Sequence, residues 1–240
     1  MRHLIDIDSL DPDRARHLIE RAAAMREAPP AQSLAGRWLA NVFYEPSTRT
    51  RTSFEIAAGR LGGHVVNISA AASSATKGET LVDEVAVLSA MGVDAVVLRH
   101  PRQGALRELL DRGRDLPHLV NAGDGDGAHP TQALLDAVTL REHFGSIDSV
   151  RLVIAGDLRH SRVARSAVAL LAALGIGELR LAAPPDWRLE RLPPGAPVRE
   201  FDDLDTALDG ADAVMMLRIQ RERLNAEGPR DEAYYRRWGL

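Results

Sequence analysis

Cysteine is missing from this sequence, and aromatic residues make up only 4% of its 240 residues. Without cysteine the chain has no disulfide, no thiolate nucleophile and no cysteine metal site. The scarcity of aromatics means that aliphatic side chains must form most of the core. No apolar run approaches membrane-spanning length, and the first residues lack the long apolar segment of a signal peptide. We therefore expect a cytoplasmic protein that does not enter a membrane.

An excess of positive charge is also missing, because the formal net charge is −4. The sequence has no basic tract, so we expect no nucleic-acid partner. Paired carboxylates at motif spacing, a serine in a hydrolase-type elbow and helical histidine pairs beside an acid are absent too. Asp124 and Asp126 lie in a glycine-rich loop, but their spacing is not that of an EF-hand. We therefore expect a turn at that loop and no metal in the protein.

The most informative stretch that is present covers residues 43–55, which read FYEPSTRTRTSFE. The apolar run at residues 39–43 predicts a buried strand, and Pro46 ends it. Ser47 then begins a helix, which the glycine pair at residues 62–63 ends. The sequence therefore predicts a strand, a tight turn and a helix in direct succession.

The same turn gathers groups that bind anions. A helix start has unpaired backbone N–H groups, and here hydroxyls alternate with Arg49 and Arg51. Phosphate is the anion that best uses backbone donors together with a planar guanidinium. The alternative is a capped helix whose two arginines merely face solvent. We favour the phosphate site because two arginines and several hydroxyls share the first turn.

Strands and helices alternate along the rest of the chain. The predicted strands are residues 39–43, 64–68, 94–98, 118–121, 150–155, 179–183 and 211–217. This order predicts an α/β fold with two doubly wound parallel-sheet domains. We place the join between the domains on the helix that follows His129 and runs to about residue 144.

Polar and cationic side chains follow several of these strands. They are Ser47, Arg99, His129, Arg162 and Arg218. Ligands of parallel sheets bind beyond the carboxyl ends of the strands, so we expect these side chains to converge. A local excess of arginine in a chain of negative net charge suggests a substrate with several negative groups. His129 begins a helix, whose dipole disfavours an imidazolium, so it is either a neutral donor to a carbonyl oxygen or merely an N-cap.

The chain resembles the catalytic chains of the aspartate carbamoyltransferase family in a series of separated motifs. These are residues 43–55, Lys77-Gly78-Glu79-Thr80, Arg99-His100-Pro101, His129-Pro130-Thr131-Gln132, Gly156-Asp157-Leu158 and Arg218-Ile219-Gln220. The resemblance implies transfer of the carbamoyl group from carbamoyl phosphate to the α-amine of L-aspartate. The products would be N-carbamoyl-L-aspartate and phosphate, in the first committed step of pyrimidine synthesis. The family reaction uses no metal and no organic cofactor.

The resemblance also implies a role for each matched residue. The phosphate would be held by Ser47, Thr48, Arg49 and Thr50. The carbonyl oxygen would be polarised by Thr50, Arg99 and His129, with Gln132 at the carbamoyl amide. The α-carboxylate of aspartate would meet Arg162, and its β-carboxylate Arg218 and Gln220. Ser73 and Lys77 would reach into the site of a neighbouring subunit.

The same resemblance implies a domain organisation and partners. Residues 1–132 would form the carbamoyl-phosphate domain and residues 133–240 the aspartate domain. The catalytic unit would be a homotrimer with active sites between subunits. The resemblance also implies that regulatory or dihydroorotase-like partner chains could associate with this catalytic unit.

Two departures from the family pattern affect these expectations. Residues 163–165 read Val-Ala-Arg where many relatives have Thr-Val-His, so Arg165 could interfere locally, which we treat as a tolerable variation. Family members also continue for roughly sixty residues beyond Leu240, a length that would complete a second domain. We expect the second domain to be incomplete here and a protein ending at Leu240 to be inactive or nearly so.

Other functions remain as alternatives. A transcarbamylase for a basic amino acid such as ornithine would meet like charge at Lys77 and Arg218. A non-catalytic relative could retain the trimer surface as an assembly or regulatory partner. A nucleotide-binding module is suggested only by residues 153–157, which lack the glycine fingerprint.

Overall fold

The computed structural model describes residues 2–69, 78–220 and 232–238. The helices are α1 (Pro12–Glu27), α2 (Thr48–Arg60), α3 (Leu81–Ala90), α4 (Ala105–Arg112), α5 (Pro130–Phe144), α6 (Arg162–Leu174), α7 (Leu204–Leu208) and α8 (Glu232–Trp238). The strands are β1 (Trp38–Phe43), β2 (His64–Ser69), β3 (Ala95–His100), β4 (His118–Asp124), β5 (Arg151–Ala155), β6 (Glu178–Ala182), β7 (Val198–Phe201) and β8 (Ala213–Met216).

The strands form two parallel sheets of four strands each, in the orders β2-β1-β3-β4 and β7-β6-β5-β8. The predicted fold class, two doubly wound parallel sheets, is therefore confirmed. In both sheets the strand order reverses next to the first strand, between β1 and β3 and between β5 and β8. Such a reversal opens a crevice at the carboxyl ends of the strands, where ligands of these folds bind.

Each sheet packs in its own aliphatic core. The first core joins Val42 and Leu98 of the sheet to Val85 of α3 and Leu106 of α4. The second core contains α1, α5, α6 and β5, with side chains such as Ile19, Ala133, Leu152 and Leu171. Helix α5 thus starts just after β4 of the first sheet and packs in the core of the second sheet. The position of its first residues is fixed from both sides.

Local sequence signals explain several of the helix ends. Asp11 caps α1 by accepting bonds from the N–H groups of Asp13 and Arg14, and Pro12 is its first residue. Ser161 caps α6 by accepting a bond from the Ala164 N–H at 3.1 Å. Gly175 ends α6 with a φ of +83°, a conformation that glycine adopts without strain.

The structure differs from the sequence prediction in several elements. Strand β4 continues to Asp124, whereas the prediction ended it at Asn121. Strand β7 and helix α7 were not predicted, because both are short and follow a proline-rich connection. Helix α8 was not predicted either, and its Trp238 is buried against the second sheet. In the described part of the chain, no helix has the length and apolar character needed to cross a membrane.

Candidate active site

A cavity of about 950 Å³ lies at the carboxyl ends of strands from both sheets. The predicted site residues that line it are Ser47, Thr48, Arg49, Thr50, Arg99, His129, Gln132, Arg162, Arg218 and Gln220. The residues expected to converge therefore do share one hollow, although their individual roles stay predictions. Ser73 and Lys77 lie outside the described residues.

The start of α2 forms one wall of the cavity. Ser47 is its N-cap residue, but its side chain makes no capping bond within the described residues. The first-turn N–H groups have no partner inside a helix, so this end remains open to a ligand. Arg49 lines the cavity, whereas Arg51 is not among the lining residues. Arg51 therefore lies outside the cavity lining, contrary to the expectation that both guanidiniums point to the anion.

Glu45 also lines the cavity, and the sequence reasoning missed it. Its Oε2 accepts hydrogen bonds from Arg99 Nε at 3.0 Å and from Arg162 Nη1 and Nη2 at 3.2 and 3.3 Å. One carboxylate thus ties an arginine of the first sheet to an arginine of the second. Its place inside the motif at residues 43–55 was the available signal, but its partners are distant in sequence.

Arg162 is held firmly although it is a long cationic side chain. It is only 5% exposed, and its Nη1 also donates to the Gly125 carbonyl at 2.7 Å. Its guanidinium lies against Gly123, where an added Cβ would come within 2.6 Å of Arg162 Cζ. Gly123 also has a φ of +133°. The glycine-rich loop therefore serves as a cradle for an arginine.

His129 begins α5 at the floor of the cavity and is 6% exposed. Burial, together with the nearby charges of Arg162 and Arg99, lowers the pKa of its imidazole from 6.5 to about 3. Its backbone N–H donates to Ser166 Oγ of α6 at 2.9 Å. Thr131 Oγ1 lies 3.4 Å from the ring Nδ1. The imidazole is therefore neutral at physiological pH and can act as a donor.

A buried carboxylate organises the carboxyl ends of β5 and β8. Asp157 is fully buried, and it accepts bonds from His160 Nδ1 at 2.8 Å and from the Gln220 N–H at 3.1 Å. The Leu217 N–H donates to the Ala155 carbonyl at 2.8 Å. These bonds fix the segment that carries Arg218 and Gln220 beside the start of α6.

Arg165 stays out of the cavity. Its guanidinium donates to the carbonyl oxygens of Asp126 and Arg159, and the side chain lines a separate hollow behind the site. The local interference that this departure raised is therefore not seen in the cavity, because the Arg165 side chain extends toward the loop at Asp126.

Asp124, the other aspartate of the glycine-rich loop, has a structural role. Asp124 Oδ2 accepts a bond from the Gly104 N–H at the start of α4, at 3.0 Å. Across residues 2–69, 78–220 and 232–238, no three acidic or histidine side chains are close enough to hold a metal ion. The cavity instead combines arginines, hydroxyls and backbone donors, a set that suits anions.

Comparisons with known proteins agree with this geometry. A sequence model described as "Aspartate/ornithine carbamoyltransferase, carbamoyl-P binding domain" matches residues 2–142. The chain is 46% identical to the aspartate carbamoyltransferase catalytic subunit of Gluconobacter oxydans, over 100% of this chain and 77% of that protein. It is 48% identical to the catalytic subunit of Acidothermus cellulolyticus, over 100% and 75%.

Solved structures show the same likeness. Aspartate transcarbamoylase from Trypanosoma cruzi in complex with carbamoyl aspartate and phosphate superimposes with a TM-score of 0.84 at 34% identity, over 94% of this chain and 75% of that one. The catalytic subunit of M. jannaschii aspartate transcarbamoylase gives a TM-score of 0.81 at 35% identity, over 98% and 78%. Together with these relatives, the two parallel sheets around one cleft place the chain among the group-transfer enzymes of the α/β class. The chain belongs to the aspartate/ornithine carbamoyltransferase family.

Proposed function

We propose that this chain transfers the carbamoyl group of carbamoyl phosphate to the α-amine of L-aspartate, a step of pyrimidine biosynthesis. The observation that carries the proposal is the single cavity in which an open helix start meets arginines of both sheets. A phosphate and two carboxylates need several cations in one place. The T. cruzi relative in complex with carbamoyl phosphate and aspartate supports the same pair of substrates.

The phosphate group of the donor substrate binds at the start of α2. The hydroxyls of Ser47, Thr48 and Thr50 and the first-turn N–H groups surround it, and Arg49 neutralises its charge. This end of the cavity suits phosphate because the helix start is open and its dipole is positive there.

The carbonyl oxygen of the donor substrate lies among Thr50, Arg99 and His129. As the amine nitrogen bonds to the carbamoyl carbon, charge develops on that oxygen, and fixed donors stabilise it. The neutral imidazole of His129 supplies an N–H without a titration step near neutral pH. Collapse of the intermediate breaks the C–O bond to phosphate, and the departing phosphate takes up the proton that the amine loses.

Aspartate binds at the ends of β5 and β8. Arg162 takes its α-carboxylate, and Arg218 and Gln220 take its β-carboxylate. Glu45 supports this arrangement because it holds Arg162 next to Arg99, and so next to the carbamoyl carbon. A guanidinium that is already in place loses little conformational entropy on binding.

We further propose that residues 1–132 bind carbamoyl phosphate and residues 133–240 bind aspartate. The match of residues 2–142 to a carbamoyl-P binding domain supports the first assignment. The protein works in the cytoplasm as a homotrimer in which Ser73 and Lys77 complete a neighbouring site. Sedimentation of the protein tests the trimer, and a monomer would refute it.

Calorimetric titration tests the substrate pair. N-(phosphonacetyl)-L-aspartic acid (PALA), which occupies a T. cruzi relative, should bind at least about tenfold more tightly than the matched phosphonacetyl derivative of ornithine, because a cationic side chain would meet arginine. Failure of PALA to bind, or a preference for the ornithine derivative, would overturn the proposal. Transfer itself is assayed as carbamoyl aspartate formed by the protein at its encoded length.

A further inference from the structure

Asp136 is a partly buried carboxylate that lies beside the site but is not part of its lining. It lies on α5 one turn after Gln132, and its Oδ1 accepts a hydrogen bond from Gln132 Nε2 at 2.9 Å. Its Oδ2 is buried and has no hydrogen-bond partner in the described part of the chain. Burial raises the pKa of this carboxyl to about 6, so it is mostly ionised at neutral pH. A half-satisfied buried carboxylate is costly, which suggests a function for it.

The contact fixes which way round the Gln132 amide lies. An ionised carboxylate can only accept hydrogen bonds, so the amide must turn its NH₂ group toward Asp136. The amide oxygen is then the atom that Gln132 can offer to a ligand, and Gln132 lines the cavity. The orientation follows from chemistry and does not depend on how the two amide atoms are assigned.

We propose that Asp136 is a positioning residue that presents the Gln132 oxygen as an acceptor, so that the chain selects acyl phosphates with an NH₂ group on the carbonyl carbon. This inference rests on the function proposed above and deepens it. The carbamoyl NH₂ donates to the fixed oxygen. An acetyl group of nearly the same size leaves that oxygen without a partner, which weakens its binding. If the Gln132 amide were reversed, its NH₂ group would face the NH₂ group of the carbamoyl substrate.

Two phosphonates that differ only at this group provide the test. Phosphonoacetamide carries the NH₂ group, and 2-oxopropylphosphonate carries a methyl in its place. Calorimetry on the whole chain gives the affinity for each, and the ratio measures the selection. The unaltered chain should prefer the amide by about tenfold or more, the effect of one buried hydrogen bond.

Asp136→Asn keeps the size of the side chain but adds a donor that lets the Gln132 amide turn over. We expect it to lower the preference for the amide to about twofold or less, while the affinity for the methyl ketone stays unchanged. Asp136→Ala removes the acceptor without adding a donor, and the preference should fall by a smaller factor. In a Gln132→Ala background, Asp136→Asn should change nothing further.

A purely structural role for Asp136 predicts that both phosphonates lose affinity equally, and that result would overturn the proposal. An unchanged preference in Asp136→Asn and Asp136→Ala would overturn it as well. Measurements on the unaltered chain distinguish a failure of this inference from a failure of the proposed function. If it binds neither phosphonate nor PALA, the proposed function fails; if it binds both phosphonates without preference, only the role of Asp136 fails.

Discussion

Helices α2 and α6 start at the same cleft in nearly the same way, yet their first turns differ. Each follows the central strand of its sheet, and each has a serine N-cap followed within two residues by an arginine. Ser161 closes the start of α6 with its own hydroxyl, and Arg162 is buried among Glu45 and Gly125. Ser47 makes no such bond, and Arg49 is exposed in the cavity.

The same local motif, a serine N-cap followed by an arginine, therefore serves two chemical purposes. The open start of α2 offers its backbone donors to a ligand, so phosphate binds through the helix itself. The closed start of α6 offers only a guanidinium whose position is fixed in advance. Variants that exchange these properties between α2 and α6 test whether this difference holds. Variants at His129, where α5 begins, extend the test to a third helix start.

The largest expected effect concerns His129. Its pKa in the folded chain is about 3, below the 6.5 of the unfolded chain, so the unfolded chain binds more protons between these values. The free energy of unfolding should therefore rise with pH across this window, by roughly 5 kcal/mol in total. Urea titrations between pH 5 and 6.5 should show about 2 kcal/mol of that rise. His129→Gln serves as the control, and the same slope in that variant would contradict the account.

The arginines that follow the two serines should differ in what they stabilise. Arg162→Ala removes the buried guanidinium together with its bonds to the Gly125 carbonyl and to Glu45, so it should cost about 3 kcal/mol of unfolding free energy. Arg49→Ala should change stability by less than about 0.5 kcal/mol, because its side chain is exposed. Calorimetry should show that each variant binds PALA about a hundredfold more weakly. Equal unfolding free energies for Arg162→Ala and Arg49→Ala would contradict the difference between the two helix starts.

Asp136 should give a pH dependence of the opposite sign to that of His129. Its folded pKa of about 6 lies above the ordinary 3.8, so the folded chain binds more protons between these values. Its contribution to the unfolding free energy should fall by roughly 3 kcal/mol in total, and by about 2 kcal/mol as pH rises from 4 to 6. Denaturant titrations give the unfolding free energy of the unaltered chain and of Asp136→Asn at each pH. The difference between the two values is the contribution of Asp136. A stability difference that does not vary with pH would refute it.

The smallest effect concerns the two serines themselves. Ser161→Ala removes a formed cap and should lower the unfolding free energy by about 1 kcal/mol. Ser47→Ala removes no such bond, so its stability should stay within about 0.5 kcal/mol, while phosphate affinity falls by about tenfold. Thermal unfolding and phosphate titration of the two variants measure both quantities. A larger stability loss for Ser47→Ala would mean that the start of α2 is closed.

Much of this site could be predicted because parallel sheets bring the ends of their strands together. Residues at or just after the carboxyl ends of these strands converge by topology. The convergence of Ser47, Arg99, His129, Arg162 and Arg218 could therefore be predicted without knowing any contact. The prediction failed at Arg51, which shares the first turn of α2 with Arg49 but does not line the cavity. It also missed Glu45, since its arginines come from both sheets and no local pattern marks such a bridge.

The central claim is that the cleft holds a phosphate at the start of α2 and a dicarboxylate at Arg162 and Arg218. A crystal structure of this chain with PALA tests it most directly. The account predicts the phosphonate within hydrogen-bond distance of the first-turn N–H groups of α2 and of Arg49, with one carboxylate on each of the two arginines. A phosphonate bound at the start of α6, or carboxylates that touch neither arginine, would contradict it.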